Sequence, residues 1–195
     1  KGQFLITTKA QGVKIDYAPG WPVINGVDAT LSFGTGMRIE ASRGSILGTQ
    51  IASAVVEIPD FESTEEMLLV RGQVQGPTAE FLAFIEASPV ADKIDRFTEG
   101  MRAEGNGRLD LELDMPLRHV LDTAIRGAFQ FQNNQVHVVP GLPPVGQVNG
   151  RLNITATTIT AQEITGQILG GPMRLSVRND GDRVAVTLAG TASLR

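Results

Sequence analysis

The chain reads Val27-Asp28-Ala29-Thr30-Leu31-Ser32-Phe33 and, shortly afterwards, Gly44-Ser45-Ile46-Leu47-Gly48. Related runs return downstream as Val148-Asn149-Gly150-Arg151-Leu152-Asn153-Ile154 and Gly166-Gln167-Ile168-Leu169-Gly170. The first pair is displaced by 121 positions (148 minus 27) and the second by 122 (170 minus 48), so one residue has been gained in the loop between them. Recurrence of a strand–turn–strand unit lengthens a sheet by duplication. The sequence therefore predicts a long, repetitive β structure.

Composition indicates an ordered chain with an aliphatic surface. Of 195 residues, 42% are hydrophobic and 19% charged, unlike a disordered segment, and only 5% are aromatic. The net charge of −4 gives no reason to expect nucleic acid or an anionic membrane as a direct partner. The absence of cysteine excludes disulfides and thiolate metal sites. The chain starts at Lys1 rather than a methionine, so we expect a piece of something longer.

Apolar and polar residues alternate along most of the chain, as they do in half-buried strands, and we expect about ten to twelve strands. Two short strands are predicted before residue 17, separated by Gly12. Asn25-Gly26 is typical of a turn, Asn133-Asn134 indicates a hairpin, and Asp180-Gly181 is expected to turn the last two strands.

The pattern changes to helical spacing between residues 77 and 100. Pro77 stands at a first helical position with Glu80 close behind, and apolar residues follow three and four apart. A second helix is predicted after Pro89, running through Phe97 and ending at Gly100. We expect these two short helices to cap or brace one end of the sheet.

These patterns predict a mainly β fold: an elongated, strongly curved antiparallel sheet that forms an open apolar groove, with two short helices around 77–100. No linker interrupts the chain, so residues 1–195 are expected to form a single segment, with a strand unit at 1–75, a helical insert at 76–101 and a strand unit at 102–195. A sandwich, in which two apolar sheet faces cover each other, is the alternative.

No motif specifies a reaction. Asp110, Glu112 and Asp114 lie two apart on one strand, which separates neighbouring carboxylates by about 7 Å and favours a solvated outer face over a metal site. His119 and His137 belong to no metal-spaced or nucleophile-linked motif, and the chain contains no nucleophile elbow or phosphate loop. We therefore expect no enzyme activity, no cofactor and no metal.

The unusual feature is the aliphatic face of the strands. An exposed aliphatic trough invites aggregation unless something apolar occupies it, and acyl chains would suit it. The residues expected to line the groove are those in the apolar phase of their strands: Leu31, Phe33, Ile39, Leu109, Leu111, Leu113, Ile125, Phe129, Phe131, Val136, Val138, Leu152 and Ile154.

A series of motifs resembles one known family. The order of these motifs is more specific than any one of them, and the resemblance extends from about residue 10 to residue 195. The motifs are Tyr17-Ala18-Pro19-Gly20-Trp21-Pro22-Val23-Ile24-Asn25-Gly26-Val27, Arg71-Gly72-Gln73-Val74-Gln75-Gly76-Pro77-Thr78-Ala79-Glu80-Phe81-Leu82, Ala87-Ser88-Pro89-Val90, Gly107-Arg108-Leu109-Asp110-Leu111-Glu112-Leu113-Asp114-Met115-Pro116-Leu117 and Pro140-Gly141-Leu142-Pro143-Pro144. Together they resemble the middle region of YhdP-type proteins, large members of the AsmA-like family of Gram-negative bacteria.

The resemblance implies a periplasmic segment of a bridge-like protein that carries phospholipid between the inner and outer membranes along a hydrophobic β-groove. It implies anchoring to the inner membrane in the full-length protein, with membrane contact only through parts missing from this fragment. The implied partners are phospholipid acyl chains and neighbouring segments of the full-length chain. The family offers no catalytic motif to carry over. A non-catalytic β-rich scaffold or protein-interaction module of the cell envelope, with a closed core and exposed edge strands, is the alternative.

Overall fold

The structure, a computed structural model, describes residues 4–138, 141–180 and 183–191. Its strands are β1 (Ile6–Ile15), β2 (Ile24–Phe33), β3 (Met37–Ile46), β4 (Thr49–Ile58), β5 (Met67–Pro77), β6 (Arg102–Pro116), β7 (Ala124–His137), β8 (Val145–Thr155), β9 (Ile159–Ile168), β10 (Gly171–Asp180) and β11 (Arg183–Gly190). Two α-helices, α1 (Thr78–Glu86) and α2 (Val90–Lys93), join β5 to β6, and a 3-10 helix (Val120–Asp122) lies between β6 and β7.

All the described strands belong to one sheet, and their order in the sheet is their order in the chain, β1 to β11. Every pairing between neighbours is antiparallel. The prediction of a mainly β, antiparallel fold with two short helices is therefore confirmed. One continuous open sheet, rather than two sheets packed face to face, is the architecture of the described residues.

The two copies of the repeat form equivalent hairpins. Residues 27–33 lie in β2 and residues 148–154 in β8, and each strand pairs with the next one along the chain. The positive φ angles recur as well: φ is 62° at Gly26 and 50° at Gln147, the equivalent positions in β2 and β8. In the turns after β3 and after β9, φ is 51° at Leu47 and 49° at Leu169. The duplication inferred from sequence is thus also present in the backbone.

Several predicted turns are β-bulges inside longer strands. Gly12 does not separate two strands, because it lies within β1 at a break in register with φ of 64°. Asn25-Gly26 lies within β2, and Asn133-Asn134 lies within β7, where φ at Asn133 is 53°. These three predictions were wrong, because an extra residue in one strand needs the same positive φ as a tight turn. Gly181 of the predicted Asp180-Gly181 turn lies outside the described residues.

The second helix is shorter than predicted. It ends at Lys93, and residues 94–100 form turns instead of continuing to Gly100. The chain leaves the helix because Asp95 and Arg96 adopt positive φ angles of 50° and 54°. Phe97, predicted to lie in that helix, is instead in these turns and is 67% exposed.

Aromatic packing around α1 forms one part of the core. The ring of Phe129 contacts Phe81 of α1 edge-on at a centroid distance of 5.0 Å, and Phe131 at 4.9 Å. A Cβ at Gly107 would collide with the tip of the Phe129 ring, so only glycine leaves room for that ring over β6. On the side of α1 toward the β1–β2 loop, Trp21 contacts Phe84 at 6.0 Å.

We predict that Gly107→Ala destabilises the protein by about 1 to 3 kcal/mol, because the new methyl group overpacks a site already filled by the Phe129 ring. Gly127→Ala is the matched control in the adjacent strand. Its Cβ would meet Ile154 and Leu111 at 3.5 and 3.8 Å, which is ordinary contact, so the control should be neutral or slightly stabilising. Urea denaturation of both variants measures the difference, and equal midpoints would contradict this packing.

Candidate functional site

One side of the sheet, called here the apolar face, carries aliphatic side chains across the central strands. Residues opposite each other in neighbouring strands share a face, so the pairing register traces it. One row reads Leu31, Ile39, Val56, Val70, Leu113 and Ile125, each paired with the next. All six are half-buried. The apolar face is thus continuous across strand boundaries and does not belong to any single hairpin.

The register brings nearly all the predicted groove residues onto this face. Leu109 pairs with Phe129, which pairs with Leu152, and Leu111 shares a row with Ile154 through Gly127. Phe131 and Val136 pack against the same core cluster as Leu152. Phe33 lies two residues beyond Leu31 in the same phase of β2. Val138 is the exception: it lies just past the end of β7 and is exposed.

A row of small residues crosses the apolar face next to the row of Leu31. It consists of Ala10, Ala29, Ala41, Ala54 and Gly72, each paired with the next across β1 to β5. On one side of it lies the row of Leu31, and on the other, beyond the register shifts, lie the larger side chains of Val27, Ile51 and Val74. Leu111 follows Gly72 in β6 and ends the row. The face therefore has a shallow furrow that runs across the strands.

Sequence reasoning found Leu152 and Ile154 of β8 but missed Val148 of the same strand and the part of the face formed by β9 and β10. Val148, Ala161, Ile164 and Val177 are each at most 7% exposed and form one core cluster. A break in register separates Ala161 from Ile164, so their spacing of three does not read as strand alternation. Adjacent apolar residues in β4 and β5, such as Val55-Val56 and Leu68-Leu69, also leave the buried phase ambiguous in sequence.

The opposite face of the central strands carries paired charges. Arg126 on β7 bridges two carboxylates of β6, with Nε 3.1 Å from Glu112 Oε2 and Nη2 2.6 Å from Asp114 Oδ2. Arg71 of β5 lies 3.4 Å from the other Asp114 oxygen, and Arg108 lies 3.2 Å from Asp110. The predicted separation of the acidic row from the leucines is confirmed. Arg71 and Arg126, which balance part of it, come from the neighbouring strands β5 and β7 and could not be assigned from the acidic strand alone.

The hydrogen bond from Arg126, together with the nearby charges of Arg126 and Arg71, lowers the pKa of Asp114 below its usual value. The same contacts, with Asp114 first and Glu112 second, raise the pKa of Arg126. These groups therefore hold opposite charges at neutral pH. They tie β5, β6 and β7 together on the side of the sheet away from the apolar face.

The described residues contain no cluster of His, Cys, Asp and Glu side chains that could hold a metal ion. Of the two histidines, His119 precedes the 3-10 helix, and His137 ends β7 with its Nε2 3.2 Å from Gln135 Nε2. In the described ranges no helix has the length and apolarity needed to cross a bilayer. The distinctive surface of the structure is therefore the apolar face.

The family model described as YhdP protein matches residues 1–195. The chain belongs to the YhdP family. Among curated proteins, it is 22% identical over 176 residues to the intermembrane phospholipid transporter YhdP of Escherichia coli strain K12. That match covers 90% of this chain and 14% of the relative, so the chain corresponds to a small part of a YhdP protein of that length. No solved structure matches the chain.

We predict that Asp114→Asn lowers the midpoint of urea denaturation at pH 7. Because the folded-state pKa of Asp114 lies below its unfolded value of about 3.9, its charged form stabilises the fold above that value. The contribution is lost as pH falls through the folded-state pKa. The difference between wild type and variant should therefore be present at pH 7 and disappear in strong acid.

Asp92→Asn, which removes an exposed pair with Arg96 on the helical insert, is the control and should change the midpoint less. An Asp114→Asn difference that persists unchanged in strong acid would show that the ion pairs on β6 are not its source.

Proposed function

We propose that residues 1–195 act as one segment of a bridge-like, non-catalytic protein that carries phospholipid between the inner and outer membranes. In this proposal, acyl chains lie along the apolar face and head groups remain in water. The similarity to the E. coli relative, which is named as a phospholipid transporter, supports the substrate class. The residues themselves support an apolar, flexible ligand of extended shape, since the face offers aliphatic surface without a site for chemistry.

The observation that carries the proposal is the continuity of the apolar face across the strands. The row from Leu31 to Ile125 crosses six strands, while the charged residues of these strands, including Arg38, Glu57 and Asp114, lie on the other face. Each buried CH₂ of an acyl chain gains about 0.8 kcal/mol. When that gain is nearly equal at every step across the sheet, a lipid can move without meeting a deep energy well.

In this proposal an acyl chain lies in the furrow of small residues that runs from Ala10 to Gly72 across the apolar face. A methyl or hydrogen at these positions leaves room that larger side chains fill on either side. Because the furrow runs across strands, a chain lying in it points along the direction in which the sheet can be extended. This geometry matches transport along the sheet better than storage of one lipid in a closed pocket.

Burial in the strands after β7 supports a curved, groove-like sheet. Ala161 and Ile164 are 2% and 4% exposed, and the partly buried residues around them come from the sheet itself, such as Phe131 and Leu175. On one face of a flat sheet, neighbouring side chains stand side by side, and the ends of these side chains remain exposed to water. Strands that curl toward the face bring those tips together, and the β-bulges in β7 to β10 provide the bend.

The edge strands suit a segment joined to further sheet. Among the described strands, β1 and β11 each pair on one side only, and both carry exposed apolar side chains such as Ile6, Val13, Val186 and Leu188. Unpaired edges accept further strands. We propose neighbouring segments of the same protein as these partners. We place the segment in the periplasm, with the membrane anchor and all membrane contact supplied by other parts of the protein.

A scaffold or interaction module remains the second candidate, favoured by the same two unpaired edges. In that case the apolar face would serve only as core. The two functions differ in what a charge on this face should do. A closed core unfolds when an ion is buried in it, whereas an open groove hydrates the ion and loses its ligand.

We predict that Leu111→Lys leaves the protein folded, about 1 to 3 kcal/mol less stable, and removes bound phospholipid. Leu111 is half-buried beside Gly127, so the ammonium group can reach water. The control is Ser53→Lys, at an exposed position whose partner Gln73 pairs with Asp110 on the charged face. Mass spectrometry of organic extracts measures lipid, and thermal melts measure folding.

The same pair of substitutions, placed in the full-length protein, should be compared for outer-membrane permeability. Loss of lipid and of normal permeability with Leu111→Lys alone supports the conduit. A folded Leu111→Lys protein with normal lipid content and permeability would reject it, and unfolding of that variant would favour the scaffold.

A further inference from the structure

The helical insert covers one part of the apolar face and leaves the rest open. Helix α1 packs against β5 and β6, near the ends of these strands that join the insert. Beneath and beside it, in the part of the sheet from β4 to β7, lie the buried residues Thr49, Ala103, Gly107, Phe129 and Asn134. Farther along the same strands, Val56, Val70, Leu113 and Ile125 are only half-buried. The apolar face therefore has a covered zone near α1 and an open zone toward the opposite strand ends.

A buried polar contact fixes α1 in this place. Asn134 is 0% exposed, and its Nδ2 donates to Thr78 Oγ1 in the first turn of α1 at 2.7 Å. The same nitrogen lies 3.0 and 3.1 Å from the carbonyls of Glu104 and Asn106, and Oδ1 accepts the Gln132 N–H at 3.0 Å. The side chain thus joins the bulges of β6 and β7 to the start of the helix.

A second polar contact holds the same turn of the helix from the other side. The backbone N–H of Gly48, in the β3–β4 turn, donates to Glu80 Oε2 at 3.0 Å. Two aromatic contacts also hold the helix on the sheet: Phe81 packs against Phe129, and Phe84 packs against Trp21. If α1 left the sheet, Asn134 would lose a partner in a buried site and the aromatic rings would be exposed, both at a cost in free energy.

Building on the proposed function, we infer that α1 is a fixed wall that confines acyl chains to the open zone, and that Asn134, through Thr78, is the residue that positions it. The lipid path then follows the row from Leu31 to Ile125 and the furrow beside it. The zone beneath the helix carries no lipid. A path limited to one side of the face has room for fewer acyl chains than the whole width of the sheet.

Tryptophan fluorescence can locate the lipid, because Trp21 is the one tryptophan of the chain. In a Trp21→Phe background, Phe33→Trp places a reporter in the open zone and Phe81→Trp places one on α1 facing Phe129. Each protein is incubated with phosphatidylcholine vesicles whose acyl chains are brominated, then separated from the vesicles. Bromine quenches only tryptophans that it approaches closely. We expect quenching at position 33 to be several times greater than at position 81.

Thr78→Val, added to the Phe81→Trp protein, removes the hydroxyl that Asn134 contacts while keeping the side-chain shape. It should raise the quenching at position 81 toward that at position 33. Glu80→Ala, which removes the contact with Gly48, is a second route to the same result if Thr78→Val does not fold. Near-ultraviolet circular dichroism confirms that each variant retains its fold.

The outcomes separate the two proposals. Quenching at neither reporter in the starting proteins would overturn the proposed function, and this inference with it. Equal quenching at both reporters would overturn the wall while leaving lipid binding in place. Quenching at position 81 that stays low in a folded Thr78→Val protein would overturn the positioning role of Asn134.

Discussion

The structure depends on the alternation of side chains along a β-strand, which must stay in phase from each strand to the next. Because every strand pairs with its neighbours in the chain, a slip of one residue at any pairing would turn the apolar set of the following strand toward water. The bulges show how the phase is kept. Where β7 carries an extra residue near Asn133, Phe131 and Val136 still share one core cluster on the apolar face.

An open sheet of this kind gains less from burial than a sandwich, so its stability comes from several sources. The apolar row from Leu31 to Ile125 is only half-buried. Ladder hydrogen bonds, the ion pairs of Arg126 with β6 and the aromatic contacts of α1 add to it. Glycine at position 107 has a direct structural reason, since it leaves the space that the Phe129 ring fills. Stability and the openness of the apolar face are thus supported by different residues.

Much of the fold could be predicted from local patterns, and the rest depended on contacts between distant residues. Strict alternation in residues 109–115 predicted both faces of β6, and proline with helical spacing predicted α1. Asn133-Asn134 was misread because a bulge and a hairpin require the same backbone conformation. The role of Asn134 could not be read at all, since its partner Thr78 lies 56 residues away. Ala161 and Ile164 escaped notice because a register shift hides their common face.

The duplication has a consequence for how such a chain can grow. It relates β2 to β8, a step of six strands, and an even step preserves strand direction in an antiparallel sheet. An odd step would reverse each copied strand and exchange its two ends, so that the left-handed residues Gly26 and Gln147 would stand at opposite ends of the sheet. Since each described strand pairs only with its neighbours in the chain, a new pair of strands could be inserted at a hairpin without changing the pairing partners of strands farther away. The length of the sheet is therefore evolvable in increments of two strands.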